Sequence, residues 1–223
     1  MQIIISDEIQ KICPLLTLGI VQAKVTNSPT SQLLSDEMAS LETGFRQDYT
    51  LDQLNKRPAI LATRLAYKAL GKEPGRYRPS AEALCRRILR EIPLYRVDTL
   101  VDIINIVSVK TGFSIGAFDM SKIEGEKLTL GVGKAGEDFE AIGRGQLNIE
   151  GLPVYRDAVG GIGTPTSDNE RTKITATTQQ LLVIINGYSG EEGLQDAIDL
   201  SVALLEKYAD AKEIQTTILS NHL

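Results

Sequence analysis

Histidine chemistry is nearly absent from this chain. Its 223 residues hold one histidine, His222, beside the C-terminus. That argues against Ser-His-Asp and Cys-His arrangements and against a histidine-based metal site. A hydrolytic reaction would have to use carboxylates, a lysine, backbone N–H groups or a hydroxyl of the substrate. Three stretches offer such groups. Gly160, Gly161 and Gly163 follow a strand-like run, where glycine lets a ligand approach the backbone and exposes N–H donors for an oxyanion. The same pattern also builds a β-bulge or tight bend. Ser167 to Lys173 comes next, polar and carrying both signs of charge through Asp168, Glu170, Arg171 and Lys173. It reads as a surface loop or as the charged lip of a site. Asp102 and Asn105 stand three residues apart in an otherwise apolar helical run. They form either a structural hydrogen-bond pair or a polar strip along a pocket, because buried polar groups need partners.

A net charge of −5 argues against a protein that binds nucleic acid over its whole surface, and no DNA partner is expected. The charge is uneven, however. Residues 72–96 carry Lys72, Arg76, Arg78, Arg86, Arg87, Arg90 and Arg96 against three glutamates. A local basic patch on an acidic body suits contact with a phosphate backbone at one place, and it equally suits a solvated helix face. Gly131, Gly133 and Gly136 match a dinucleotide-type glycine pattern, but no helical stripe follows, so they read as a hairpin turn. Cys13 and Cys85 lack zinc or redox spacing and read as two buried thiols in a reducing compartment. With no apolar run near membrane-spanning length and no cleavable leader pattern, the expected location is the cytoplasm. No metal or cofactor is called for.

The elements that must position these groups follow from periodicity. Residues 2–5 and 17–26 read as strands, 30–47 and 57–70 as helices, the latter with Pro58 in its first turn. Ala81, Leu84, Cys85, Ile88, Leu89 and Ile92 form a helical stripe closed by Pro93, with Arg86, Arg87 and Arg90 off it. Asp98 can cap a second helix that ends near Gly112 and is apolar nearly all round, hence buried on most sides. Beyond residue 112 the period becomes two, through SIGAFD, KLTLGVG, FEAIG, LPVYRDAVGGIG and QQLLVIING. Ser189 with Glu192 predicts a capping box for a helix over 190–208, and EIQTTIL predicts a last strand.

Several of these blocks, in order, resemble one family. Val101, Asp102, Asn105, Val107 and Gly112, then Ala117, Phe118 and Asp119, resemble the V-D-x-x-N-x-V…G…A-F-D block of the phenylalanyl-tRNA synthetase β-subunit editing domain. The glycines at 160–163 and the run Thr178–Asn186 are similar to its glycine loop and following strand. Closer still are small stand-alone bacterial proteins with the R-P-S-A-E-A-L and E-R-T-K-x-T segments found here at 78–84 and 170–175.

The resemblance covers roughly 78–190. It implies an α+β fold of the editing-domain type: a mixed sheet with packed helices over 76–223, and an α/β extension over 1–75 packed on that core. It implies a tRNA-associated protein, a candidate hydrolase of the ester in mischarged aminoacyl-tRNA, bound through tRNA or its aminoacylated end. Gly160 and Gly161 would polarise the carbonyl, and Asp102, Asn105 or Asn186 would hold water. Gly116 would sit in the substrate pocket. Arg171, Lys173, Arg78, Arg86 and Arg87 would hold phosphates. Two positions depart from the family: Gly116 stands where it carries a histidine, and Asn186 or Ile185 stands near its pocket glutamate. The alternatives are a non-catalytic RNA- or small-ligand-binding module, or an enzyme of another class on the same scaffold.

Overall fold

A computed structural model describes residues 1–220. In chain order the elements are β1 (Gln2–Ile5), α1 (Asp7–Ile12), β2 (Thr17–Lys24), α2 (Gln32–Asp48), α3 (Pro58–Ala69), α4 (Ser80–Leu89), α5 (Thr99–Thr111), β3 (Ile115–Asp119), β4 (Lys127–Val132), β5 (Glu140–Ala141), β6 (Gly145–Gln146), β7 (Pro153–Arg156), β8 (Gly161–Gly163), β9 (Gln180–Gly187), α6 (Leu194–Ala209) and β10 (Lys212–Ser220). The class is α+β. The strands form two four-stranded sheets and a small third one. One sheet, β1-β4-β7-β8, is mixed, because β1 runs parallel to β4 and the rest is antiparallel. The other, β10-β2-β9-β3, is antiparallel throughout.

Alternation along the strands dictates a three-layer arrangement. Leu18 and Ile20 of β2, Leu182 and Ile184 of β9, and Phe118 of β3 pack against Leu128, Leu130 and Tyr155 of the mixed sheet. Val21, Leu181, Val183, Ile185, Ile115 and Ala117 point the other way, onto α5 and α6. A strand covered on both faces reads as a continuous apolar run, which is why LLVII stands out in the sequence. Residues 1–75 do more than pack on the outside. β2 is hydrogen-bonded on both sides, to β10 and β9, and β1 extends the mixed sheet.

The helix caps are partly as expected. The Asp98 side chain accepts from the Val101 N–H at 2.9 Å, and Gly112 ends α5 with φ +83°. α4 stops at Leu89, short of Pro93, because Glu91 takes φ +59°; Ile92 is thus off the stripe and exposed. The Ser189–Glu192 capping box does not form. Gly190 and Gly193 both adopt positive φ, and α6 begins only at Leu194 with no side-chain cap. The turn after β4 is present, but its hairpin is not, since β4 pairs with β7. Gly133 is required there by a close backbone approach: a Cβ would lie 1.9 Å from the Ile149 carbonyl oxygen. Cys13 and Cys85 are free and buried, and burial pushes both thiols up to about 11. Among the described residues no helix is long and apolar enough to cross a membrane. His222 lies outside the described residues.

Candidate functional site

A cavity of about 460 Å³ opens between α4, α5, β3 and the 164–174 segment. α5 gives it one face at helical spacing, through Val101, Ile104, Asn105 and Ser108. Ser80 and Leu84 come from α4, four residues apart, and Ile115 and Ala117 from alternate positions of β3. Thr164, Ser167, Asp168, Lys173 and Ile174 close the far side, with Val97 and Ile142 exposed at the mouth. The lining is mainly apolar with a few polar groups, the usual make-up of a small-ligand site. The 164–167 turn is held by the Thr164 hydroxyl, which accepts from the Thr166 and Ser167 N–H groups. The Pro165 carbonyl accepts from the Ser80 N–H at 2.8 Å, fixing the turn to the start of α4.

Asp168 is the titratable group of this cavity with the largest displacement. Burial pushes its carboxyl from 3.8 up to about 7, opposed by one backbone hydrogen bond. That bond comes from Ala117 N–H on the open edge of β3, at 3.2 Å to Oδ2. Part of the residue remains open to the cavity. Two glycines make room for it. A Cβ on Gly163 would lie 2.5 Å from Phe118 Cζ and 2.8 Å from Asp168 Oδ1; one on Gly116 would lie 2.8 Å from the same Phe118 atom. Gly163→Ala is therefore expected to move Phe118 and the Asp168 carboxyl, lowering stability by about 1–3 kcal/mol. Urea unfolding measures this, and an unchanged midpoint would contradict the packing described. The side chain of Asn105 lines the same cavity and makes no hydrogen bond within the described residues, so its amide is available to a ligand.

The other residues singled out in the sequence have different surroundings. Asp102 is fully buried and faces away from the cavity, accepting from the Thr30 hydroxyl at 2.5 Å and the Val97 N–H at 3.0 Å. Asn186 accepts from the Tyr155 hydroxyl at 2.6 Å and donates to the Ser114 carbonyl at 2.8 Å, a satisfied tie between the sheets. The Gly160 N–H donates to Asp157 Oδ1, and Gly161 packs under Phe139 in β8; neither lines the cavity. Gly116 is buried in β3 beside Phe118. Arg171 makes a two-pronged pair with Asp157 at 2.8 Å on both arms. Lys173 lines the cavity while paired with Glu170.

The basic window is largely satisfied internally. Glu82, fully buried, sits among Arg64 at 2.7 Å, Arg86 at 2.7 Å and Arg78 at 3.4 Å. Lys72 is buried and donates to the Asn148 and Glu150 carbonyls. Arg87 stacks on Tyr95. Asp168 belongs to the polar 167–173 stretch read from the sequence, where its neighbours Arg171 and Lys173 were singled out and it was not. Ser108, three residues beyond Asn105 on α5, also lines the cavity, and that polar spacing in an apolar helix is a signal that the sequence reading missed.

Comparison with known proteins gives a family match and similar solved structures. A family model described as B3/4 domain matches residues 62–210. No curated protein matches the chain. Among solved structures, an N-terminal fragment of the phenylalanyl-tRNA synthetase β-subunit from Pyrococcus horikoshii is similar at 14% identity and a TM-score of 0.49, covering 99% of this chain and 54% of that one. This chain thus spans about half the length of that fragment.

Proposed function

The chain belongs to the B3/4 domain family, the phenylalanyl-tRNA synthetase β-subunit type of domain that its sequence blocks resemble, and on that premise we propose that it hydrolyses the ester of aminoacylated tRNA. One observation carries the reading: the Asp168 carboxyl, tied only to the Ala117 N–H, lines an apolar cavity that the free amide of Asn105 also lines, and burial there pushes its pKa up to about 7. A base poised near the working pH is what general-base hydrolysis needs. At pH 8 Asp168 is ionised and accepts a proton from water as the water oxygen attacks the ester carbonyl. The carbonyl π electrons move onto oxygen, where the Asn105 N–H donates to the developing charge. When the tetrahedral intermediate collapses, the C–O bond to the ribose breaks and the Asp168 proton passes to that oxygen. The products are the free amino acid and tRNA with its terminal hydroxyl restored.

This assignment moves the chemistry from Gly160, Gly161 and Asn186 to Asp168 and Asn105. The Gly160 N–H is already engaged, and both polar ends of the Asn186 amide are bonded. It also answers the absent histidine at Gly116, since the Asp168 carboxyl lies 3.5 Å from where a Cβ at Gly116 would stand. The apolar walls from Leu84, Val101, Ile104 and Ile115 suit an uncharged amino-acid side chain. The test is loss of the ester from a panel of aminoacyl-tRNAs incubated with micromolar protein. Turnover of at least one member supports the reading. No turnover of any member, with tRNA still bound, would assign the domain to binding without catalysis.

A further inference from the structure

We infer that the Arg87–Tyr95 pair is a stacking platform for the terminal nucleobase of the RNA whose ester enters the cavity. This inference rests on the proposed function and names the part of the substrate outside the reacting bond.

Tyr95 is 64% exposed. It is nonetheless held in place. The Arg87 guanidinium centre lies 3.9 Å from its ring centroid, and Arg87 Nη1 donates to its hydroxyl at 3.1 Å. Arg87 Nε donates in turn to the Pro93 carbonyl at 2.6 Å, so the cation is fixed as well. The chain on either side of Tyr95 is also pinned. The Leu94 N–H and Arg96 Nη1 both donate to Glu42 Oε1, at 3.1 and 2.8 Å, and the Val97 N–H donates to Asp102. A rigid, exposed π face backed by a guanidinium suits a flat aromatic partner at low cost in side-chain entropy.

Two elements connect this pair to the cavity. On α4, Leu84 lines the cavity, and Arg87 lies three residues on, over the same side of the helix. In the 92–98 segment Leu94 is buried, whereas Tyr95 and Val97 are both exposed, and Val97 lines the cavity mouth. In an aminoacylated RNA the terminal base is one ribose away from the ester. With the ester in the cavity, that base must therefore lie just outside the mouth. Base–aromatic stacking is how proteins hold unpaired nucleotides without reading their sequence. Among the described residues the other exposed large apolar side chains are aliphatic, including Val97 and Ile142 at the mouth, so Tyr95 alone of them offers a ring.

The test uses a short single-stranded RNA ending in CCA, with 2-aminopurine replacing the terminal adenine. The chain has no tryptophan to obscure that emission. Binding to the full chain should quench the fluorophore. Tyr95→Ala should weaken binding about 5- to 100-fold and remove the quench. Tyr95→Phe, which keeps the ring, should bind within about threefold of the parent. An abasic 3′ end should bind the parent as weakly as the intact RNA binds Tyr95→Ala. The inference is overturned if the parent shows no quench, or if Tyr95→Ala or the abasic end binds as well as the parent and the intact RNA. The two readings fail separately. Ester loss from aminoacyl-tRNA with binding indifferent to Tyr95 removes the platform alone. Tyr95-dependent binding without any ester loss removes the hydrolase alone.

Discussion

Asp168→Asn is expected to slow ester loss by at least about a hundredfold while leaving the protein folded and, above pH 7, more stable than the parent. The rate effect is that of removing a general base, on the order of 10²–10⁴. The stability effect follows from linkage. The Asp168 carboxyl has a folded pKa of about 7 against 3.8 for the free group. The folded state therefore binds the extra proton between these values, and its stability falls as pH rises from about 4 through 7. Asparagine has no such charge, and its carbonyl can still accept from the Ala117 N–H. At pH 8 the variant should gain on the order of 2 kcal/mol relative to its standing at pH 4. A full shift would imply more, but the carboxyl keeps part of its surface open to the cavity. Urea melts of both proteins at pH 4 and pH 8 measure the difference. A parent and variant that keep the same stability gap at both pH values would refute the perturbed carboxyl.

Glu82→Gln is expected to be among the most damaging single changes in the molecule, at roughly 3 kcal/mol or more. Glu82 has no exposed surface, and its two oxygens accept from Arg64 and Arg86 at 2.7 Å with Arg78 at 3.4 Å. Glutamine keeps the shape but removes the charge and one acceptor. Three guanidiniums, each only partly solvated, would then face one another. The loss should appear as a lowered urea midpoint with an unchanged denaturant slope. It should also reach the site, because α4 carries Leu84 and Ser80 on the cavity wall and Arg87 beneath Tyr95. A variant within about 0.5 kcal/mol of the parent would mean that the arginines are solvated and only loosely tied to Glu82.

Local chemistry made much of the fold legible. The apolar character of α5 nearly all round, its Asp98 cap and its Gly112 stop are all set by neighbours within one or two turns. The same holds for the alternation of β2 and the doubly covered run of β9. Where backbone conformation overrode side-chain pattern, the reading slipped, as at Gly190 and Gly193 before α6 and at Glu91 after α4.

The site was less legible because its partners are distant in sequence. Asp102 and Asn105 read as a structural pair or as a polar strip, and the partner that occupies the Asp102 carboxylate, Thr30, is 72 residues away in sequence. Asn186 is occupied by Tyr155 of the other sheet. The basic window could not reveal that one buried glutamate holds three of the chain's arginines. Asp168 owes its displaced titration to a β3 edge and to room left at Gly163 and Gly116, features of three separate segments. The glycine loop matters, but through Gly163 as space for Phe118 and Asp168 rather than through Gly160 and Gly161 as donors.

The most direct test of the account is the pH dependence of ester loss from a susceptible aminoacyl-tRNA, corrected for spontaneous hydrolysis, for the parent and Asp168→Asn. The parent rate should rise about tenfold per pH unit below 7 and level off above it, and the variant should show no such inflection. A parent profile without an inflection near 7, or one that Asp168→Asn reproduces, would contradict it.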